Sequence, residues 1–122
     1  MPTLETLVEH YLAIWNEANA DRRRALIAEA YADDATYSDP LAEVSGRAGI
    51  DALIAGAQQQ FPGLVFSLGS PIDAHHDVAR FAWHLGTPGA TEPLVVGFDV
   101  IATTQGRIAR VYGFLDKVPA TL

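Results

Sequence analysis

Cysteine is absent from this 122-residue chain, so neither a disulfide framework nor a thiolate metal site is open to it. Basic residues are scarce as well. Eight Lys and Arg against fifteen Asp and Glu give a formal charge of -7, which repels phosphate backbones and anionic membrane surfaces. Nucleic acid and membranes are therefore not expected partners. The longest apolar runs are a few residues, far short of the roughly 20 that a membrane helix needs. The N-terminal MPTLETLVEH has neither the basic nor the apolar region of a secretory signal, so the expected location is cytoplasmic. A Gly-rich phosphate loop, a nucleophile elbow and a Cys/His pair are all missing, which removes the usual support for nucleotide-handling and hydrolytic chemistry.

What is present describes a globular chain: 49% apolar and 19% charged residues in a length that suits one domain, 1–122. Leu4, Leu7, Val8, Tyr11, Leu12 and Trp15 recur at steps of three and four behind Thr3, which predicts a capped amphipathic helix. Asp21 can cap a second helix with Leu26, Ile27, Ala30 and Tyr31 on its apolar side. The run Arg22-Arg23-Arg24 reads as a solvated face. ATYSD predicts a short strand ended by Asp39-Pro40, and Ile50, Leu53, Ile54, Ala57 and Phe61 predict a third helix that stops at Pro62-Gly63. Four β-type runs follow, LVFSLG, VARFAWHLG, PLVVGFDVIATT and RIARVYGFLD, with connections short enough for an antiparallel meander.

Helices first and strands after indicate an α+β fold with the helices on one face of the sheet. Strand parity puts Phe81, Trp83 and Leu85 on one face with Val111, Gly113 and Leu115. The opposite face carries Phe98, Tyr112 and Phe114, an apolar patch that predicts a homodimer through the outer side of the sheet.

Most carboxylates fall on expected turns or solvent faces, but Asp99 stands in the middle of PLVVGFDVIAT, a strand otherwise fit for burial. An unpartnered buried carboxylate costs several kcal/mol, roughly, so three readings are open. Asp99 ion-pairs with Arg80 or Arg110, or it faces water at an edge, or it points into an apolar cavity and is held neutral. Asp39 is either a turn starter or a proton-transfer group, and Tyr11 is either a core-edge tyrosine with a wet hydroxyl or part of the same site. His75-His76, with His84, Asp73 and Asp77, form the best local metal signal. Adjacent histidines in a turn have no fixed geometry, so no metal is expected.

Three stretches taken together, EHYLAIWNEAN, YADDATYSDPLAEVSGRAGI and VVGFDVIATTQGRIARVYGF, resemble in order and spacing the ketosteroid isomerases of the nuclear transport factor 2-like superfamily, which includes SnoaL-like polyketide cyclases. The resemblance implies a cone-shaped α+β barrel, three helices on a strongly curved antiparallel sheet enclosing an apolar pocket. It implies that Asp39 is the general base, that Tyr11 donates to the substrate oxyanion, and that Asp99 stays protonated and supplies a second donor. Trp15, Tyr31, Tyr37, Phe61, Phe81, Trp83, Leu85, Val111 and Leu115 would line the pocket. The implied activity is cofactor-independent isomerase-like proton transfer on a small apolar carbonyl ligand, steroid- or polyketide-like. A SnoaL-like cyclase, with Asp99 and His84 foremost, and a noncatalytic ligand-binding module are the alternatives. Ile54 and Leu115 stand where some ketosteroid isomerases have a supporting tyrosine and a cavity tryptophan.

Overall fold

Thr3 opens the first helix as the spacing predicts: its side chain accepts from the Thr6 N–H, and α1 runs Leu4–Asn16 with Leu7, Val8, Tyr11, Ile14 and Trp15 buried. The structure, a computed structural model, describes residues 2–120; residues 1, 121 and 122, the outermost of the expected domain, lie outside the described residues. The second helix, α2 Ala20–Ala30, is capped by Asn19, whose side chain accepts from the Arg22 N–H, and not by Asp21. Tyr31 therefore leaves the helix and begins β1, Tyr31–Ser38. The strand is longer than ATYSD alone implies. After a three-residue strand β2, Glu43–Ser45, helix α3 spans Gly46–Gln60 and ends before Pro62, which cannot continue it.

The remaining strands are β3 Val65–Leu68, β4 Asp73–His75, β5 Val78–Gly86, β6 Val95–Thr104 and β7 Arg107–Lys117. The three long ones form the expected antiparallel meander, β5–β6–β7. Its edge is finished by β3 and β4, which lie one after the other along β5. At the junction between them Ala82 stays satisfied, because its N–H donates to Ser70 Oγ and its carbonyl accepts from Gly69 N–H, both at 2.8 Å.

The expectation of a wholly antiparallel, barrel-like sheet needs correction at one seam. β1 pairs with β7 in parallel, so the seven-stranded sheet is mixed, and it stays open, with β2 at one edge and β3 and β4 at the other. The reason is topological. Antiparallel pairing follows from short connections between consecutive strands, whereas α3 and the whole meander separate β1 from β7. The three helices pack on this curved mixed sheet, as the α+β reading requires.

Polar ties fix the helices to the sheet. Asn16, the last residue of α1, donates to the Phe66 carbonyl and accepts from the Phe66 N–H, at 2.9 and 2.8 Å, pairing backbone groups of edge strand β3. Arg23 is not solvated, contrary to the reading of its Arg run. It is 4% exposed and donates to Asp51 Oδ1 at 2.6 Å, to the Glu17 carbonyl and to Gln58 Oε1. Three acceptors offset the desolvation of the guanidinium and join the end of α1 to α2 and α3. Arg22 and Arg24 remain on the surface, paired with Glu17 and Asp21.

Candidate active site

Helix α1 carries Tyr11 on its buried stripe, and the meander brings Asp99 beneath it. The Tyr11 hydroxyl donates to Asp99 Oδ2 at 2.7 Å, with the tyrosine 1% and the aspartate 2% exposed. Neither the ion-pair nor the edge reading of Asp99 holds: it is buried, Arg80 pairs with Asp73 on the outside of the sheet, and Arg110 is exposed. The Tyr11 hydroxyl is likewise dry. Within the sheet Asp99 stands opposite Phe81 of β5 and Gly113 of β7.

Two glycines make the room. A methyl group on Gly113 would lie 2.9 Å from Asp99 Oδ1 and 3.1 Å from Asp39 Cβ, so both acidic side chains press on this one position. On Gly97 it would lie 2.0 Å from the Trp83 ring, which occupies the space above that residue. The inner sheet face thus holds a carboxyl and an indole because its glycines present no side chain there.

Asp39 sits at the end of β1, half-buried, and three donors converge on its carboxylate. Oδ1 accepts from Leu41 N–H at 2.8 Å and Ala42 N–H at 2.9 Å, while Oδ2 accepts from the Tyr37 hydroxyl at 2.7 Å. Its own N–H donates to the Ala42 carbonyl. The turn reading and the site reading of Asp39 are therefore compatible: the turn aims the group at the cavity it lines.

That cavity has a volume of about 470 Å³. Tyr11, Asp39 and Asp99 all line it, together with Trp15, Tyr37, Phe61, Trp83, Leu85 and Leu115 of the expected wall. Tyr31, Phe81 and Val111 do not reach its surface; they are fully buried behind the wall, where Phe81 packs edge-on against Tyr11 with ring centres 5.6 Å apart. Parity assigns a residue to a face of the sheet but not to a depth. Leu12, Leu41, Leu53 and Phe66 line the cavity without having been anticipated. Phe66 was legible as an aromatic in a β-type run beside the cavity strand, and its ring joins Trp15 to Trp83, with centres 5.2 and 5.4 Å away.

Electrostatics separate the two ends of the cavity. Burial pushes the Asp99 carboxyl up from 3.8 to about 6; the bond from Tyr11 and the nearby Trp83 N–H oppose the rise, and the charge of Asp39 adds to it. The Trp83 N–H stands near Asp99 yet falls short of a hydrogen bond, so Trp83 Nε1 and Asp99 Oδ1 are both buried without a partner among the described residues. Burial likewise raises the Tyr11 and Tyr37 phenols, with Asp99 adding to each shift, so both stay neutral donors. A carbonyl group of an apolar ligand, placed at the inner end, would meet acidic donors in a dry setting.

The described residues hold no group of three or more His, Cys, Asp or Glu able to bind a metal ion. His75 ends β4 and His76 stands in the exposed turn to β5, their Nδ1 atoms 3.1 Å apart. No helix of the described residues is long and apolar enough to cross a membrane.

Comparison with known proteins agrees with this fold. A sequence model of the SnoaL-like domain matches residues 8–111. Among solved structures, a proposed isomerase of the SnoaL-like family from Agrobacterium tumefaciens is 43% identical at a TM-score of 0.85, the match covering 91% of this chain and 95% of that one. A proposed ketosteroid isomerase from Kribbella flavida is 22% identical at a TM-score of 0.69, covering 93% and 77%. A proposed polyketide cyclase from Sinorhizobium meliloti is 19% identical at 0.70, covering 93% and 94%. The last two share the fold. No curated protein matches the chain. With the domain match spanning most of its length and a relative of 43% identity, this chain belongs to the SnoaL-like family.

Proposed function

We propose that this chain is a cofactor-independent proton-transfer enzyme, isomerase-like in type, acting on a hydrophobic carbonyl ligand of steroid- or polyketide-like character. The observation that carries the reading is the dry Tyr11–Asp99 pair, 2.7 Å from oxygen to oxygen, in an apolar cavity that Asp39 also lines. Asp39 takes the proton next to the carbonyl, and the electrons of that C–H bond move onto the carbonyl oxygen. Tyr11 and Asp99 then donate to the enolate oxygen. In the free protein Tyr11 donates to Asp99 instead. A developing negative oxygen beside Asp99 favours its protonated form, in the same direction as burial and the charge of Asp39.

The test is to mix purified protein with a β,γ-unsaturated 3-oxosteroid in D2O and follow α-hydrogen exchange by proton NMR and enone formation by ultraviolet absorbance. Exchange or conjugation by the wild type, lost in Asp39→Asn, supports the reading. A wild type no faster than Asp39→Asn, with this ketone and with smaller cyclic ketones, overturns it.

The outer sheet face belongs to the same proposal. Phe98 stands opposite Phe114, and Val100 opposite Tyr112, with Phe114 55% and Tyr112 43% exposed. A second copy of the chain, related by a two-fold axis, would cover this patch. Sedimentation is expected to find a dimer that Phe114→Glu converts to a monomer; a monomeric wild type overturns the assignment.

A further inference from the structure

We infer that Tyr37 is a positioning residue which, with the amides of Leu41 and Ala42, clamps Asp39 so that the base serves a single carbon of the substrate. The inference rests on the proton-transfer reading of the cavity and narrows it. A base that moves a proton between two distant carbons has to swing between them. Asp39 has little freedom to do so. Three donors hold the carboxylate, two backbone N–H groups on Oδ1 and the Tyr37 hydroxyl on Oδ2, which leaves a second lone pair of Oδ2 as the position that can take a proton. Its Cβ packs against the backbone of β7 at Gly113, and its N–H is tied to the Ala42 carbonyl. Rotation away from this position breaks all three bonds to the carboxylate at once.

The clamp itself is rigid. Tyr37 is 3% exposed, is paired on β1 with Val111 of β7 and Val44 of β2, and packs against Trp15 with ring centres 5.9 Å apart. Its hydroxyl points at Asp39 because residues two apart on a strand share a face. Ser38, between them, faces the other way.

The chemistry that follows is enolisation with one carbon as donor and acceptor. The Asp39 carboxylate takes the α-proton and becomes the carboxylic acid, and the C–H electron pair forms the enolate. The proton then exchanges with solvent, since Asp39 is only half-buried. A proton returns to the same carbon, or that carbon attacks a second carbonyl of the same ligand, which takes the proton on its oxygen. Transfer to the far end of a dienolate becomes the minor route. The favoured substrates are carbonyl compounds whose α-carbon is the reacting centre, with a dicarbonyl ligand able to close a ring.

The experiment compares wild type, Tyr37→Phe and Asp39→Asn on a β,γ-unsaturated 3-oxosteroid in D2O, reading α-exchange by proton NMR and conjugation by enone absorbance in the same sample, with thermal melts as the control for folding. Wild type is expected to exchange the α-hydrogen faster than it conjugates the double bond. Tyr37→Phe, one donor short, is expected to raise the ratio of conjugation to exchange about tenfold while keeping a cooperative melt, the factor set by one hydrogen bond to a charged group. A wild type that conjugates faster than it exchanges, or a Tyr37→Phe ratio equal to wild type, overturns the clamp while leaving Asp39 as the base. Absence of both reactions above the Asp39→Asn background overturns the clamp together with the site on which it rests.

Discussion

Two carboxyl groups share one cavity, and the protein treats them differently. Asp99 lies at a dry inner end, held by one phenol, with its second oxygen unpartnered and its ionisation pushed up to about 6. Asp39 lies half-buried at the end of β1 with three donors on its carboxylate. The contrast teaches that residue type does not set the role. A carboxyl buried away from water, with one oxygen unpartnered and a second carboxylate nearby, is suited to keep its proton and give a hydrogen bond, and one surrounded by donors at the edge of solvent is suited to act as carboxylate.

Changes to either aspartate should break this comparison by different amounts. The largest effect is expected from Asp39→Asn, which removes the base and should lower α-hydrogen exchange about a thousandfold, within the usual range for a lost acid–base group. Retention of more than a tenth of the wild-type rate would place the base elsewhere.

Next in size is a stability effect confined to the inner end. Well below pH 3.8 Asp99 is protonated whether folded or unfolded. As pH rises from 3.8 to about 6, the unfolded chain has released a proton that the folded chain keeps. Stability therefore falls with rising pH through that window, by about 3 kcal/mol for this group. Urea unfolding at a series of pH values should show this decline in wild type and its absence in Asp99→Asn; equal slopes for the two would remove Asp99 as its source.

Asp99→Ala, which deletes one oxyanion donor and leaves Tyr11 in place, should lower the exchange rate about a hundredfold. The same variant should fold, because the lost group was itself costly to bury. The smallest effect, about 2 kcal/mol of destabilisation, is expected for Gly113→Ala, since a methyl group there collides with Asp99 Oδ1 and approaches Asp39 Cβ. Chemical denaturation measures it, and an unchanged midpoint would mean that the two acidic side chains do not compete for this position.

Much of this arrangement is legible in the amino-acid sequence. Asp99 could be singled out because a carboxylate is out of place in a strand fit for burial, and Tyr11 because it falls on the apolar stripe of an amphipathic helix. Period-two parity put Trp83, Leu85 and Leu115 on the face that lines the cavity. The same rule could not see that Phe81 and Val111 lie deeper than the cavity wall, because depth depends on the helices packed above each strand. Arg23 was misread for a related reason. Its partners Asp51 and Gln58 lie 28 and 35 residues away, so nothing local distinguishes it from Arg22 and Arg24. The parallel seam between β1 and β7 has no local signal either, and the three-residue strands β2 and β4 are too short for alternation to register. The Tyr37–Asp39 contact, by contrast, was within reach of the sequence, since the two residues share a face two positions apart.

The difference between the two aspartates is tested most directly by the pH dependence of α-hydrogen exchange in wild type and Asp99→Asn. If Asp99 must be protonated to donate, the wild-type rate falls as pH rises through about 6, while Asp99→Asn, whose amide donates at every pH, shows no such fall. An Asp99→Asn profile that keeps the wild-type decline would contradict the assignment of Asp99 as the donor at the inner end.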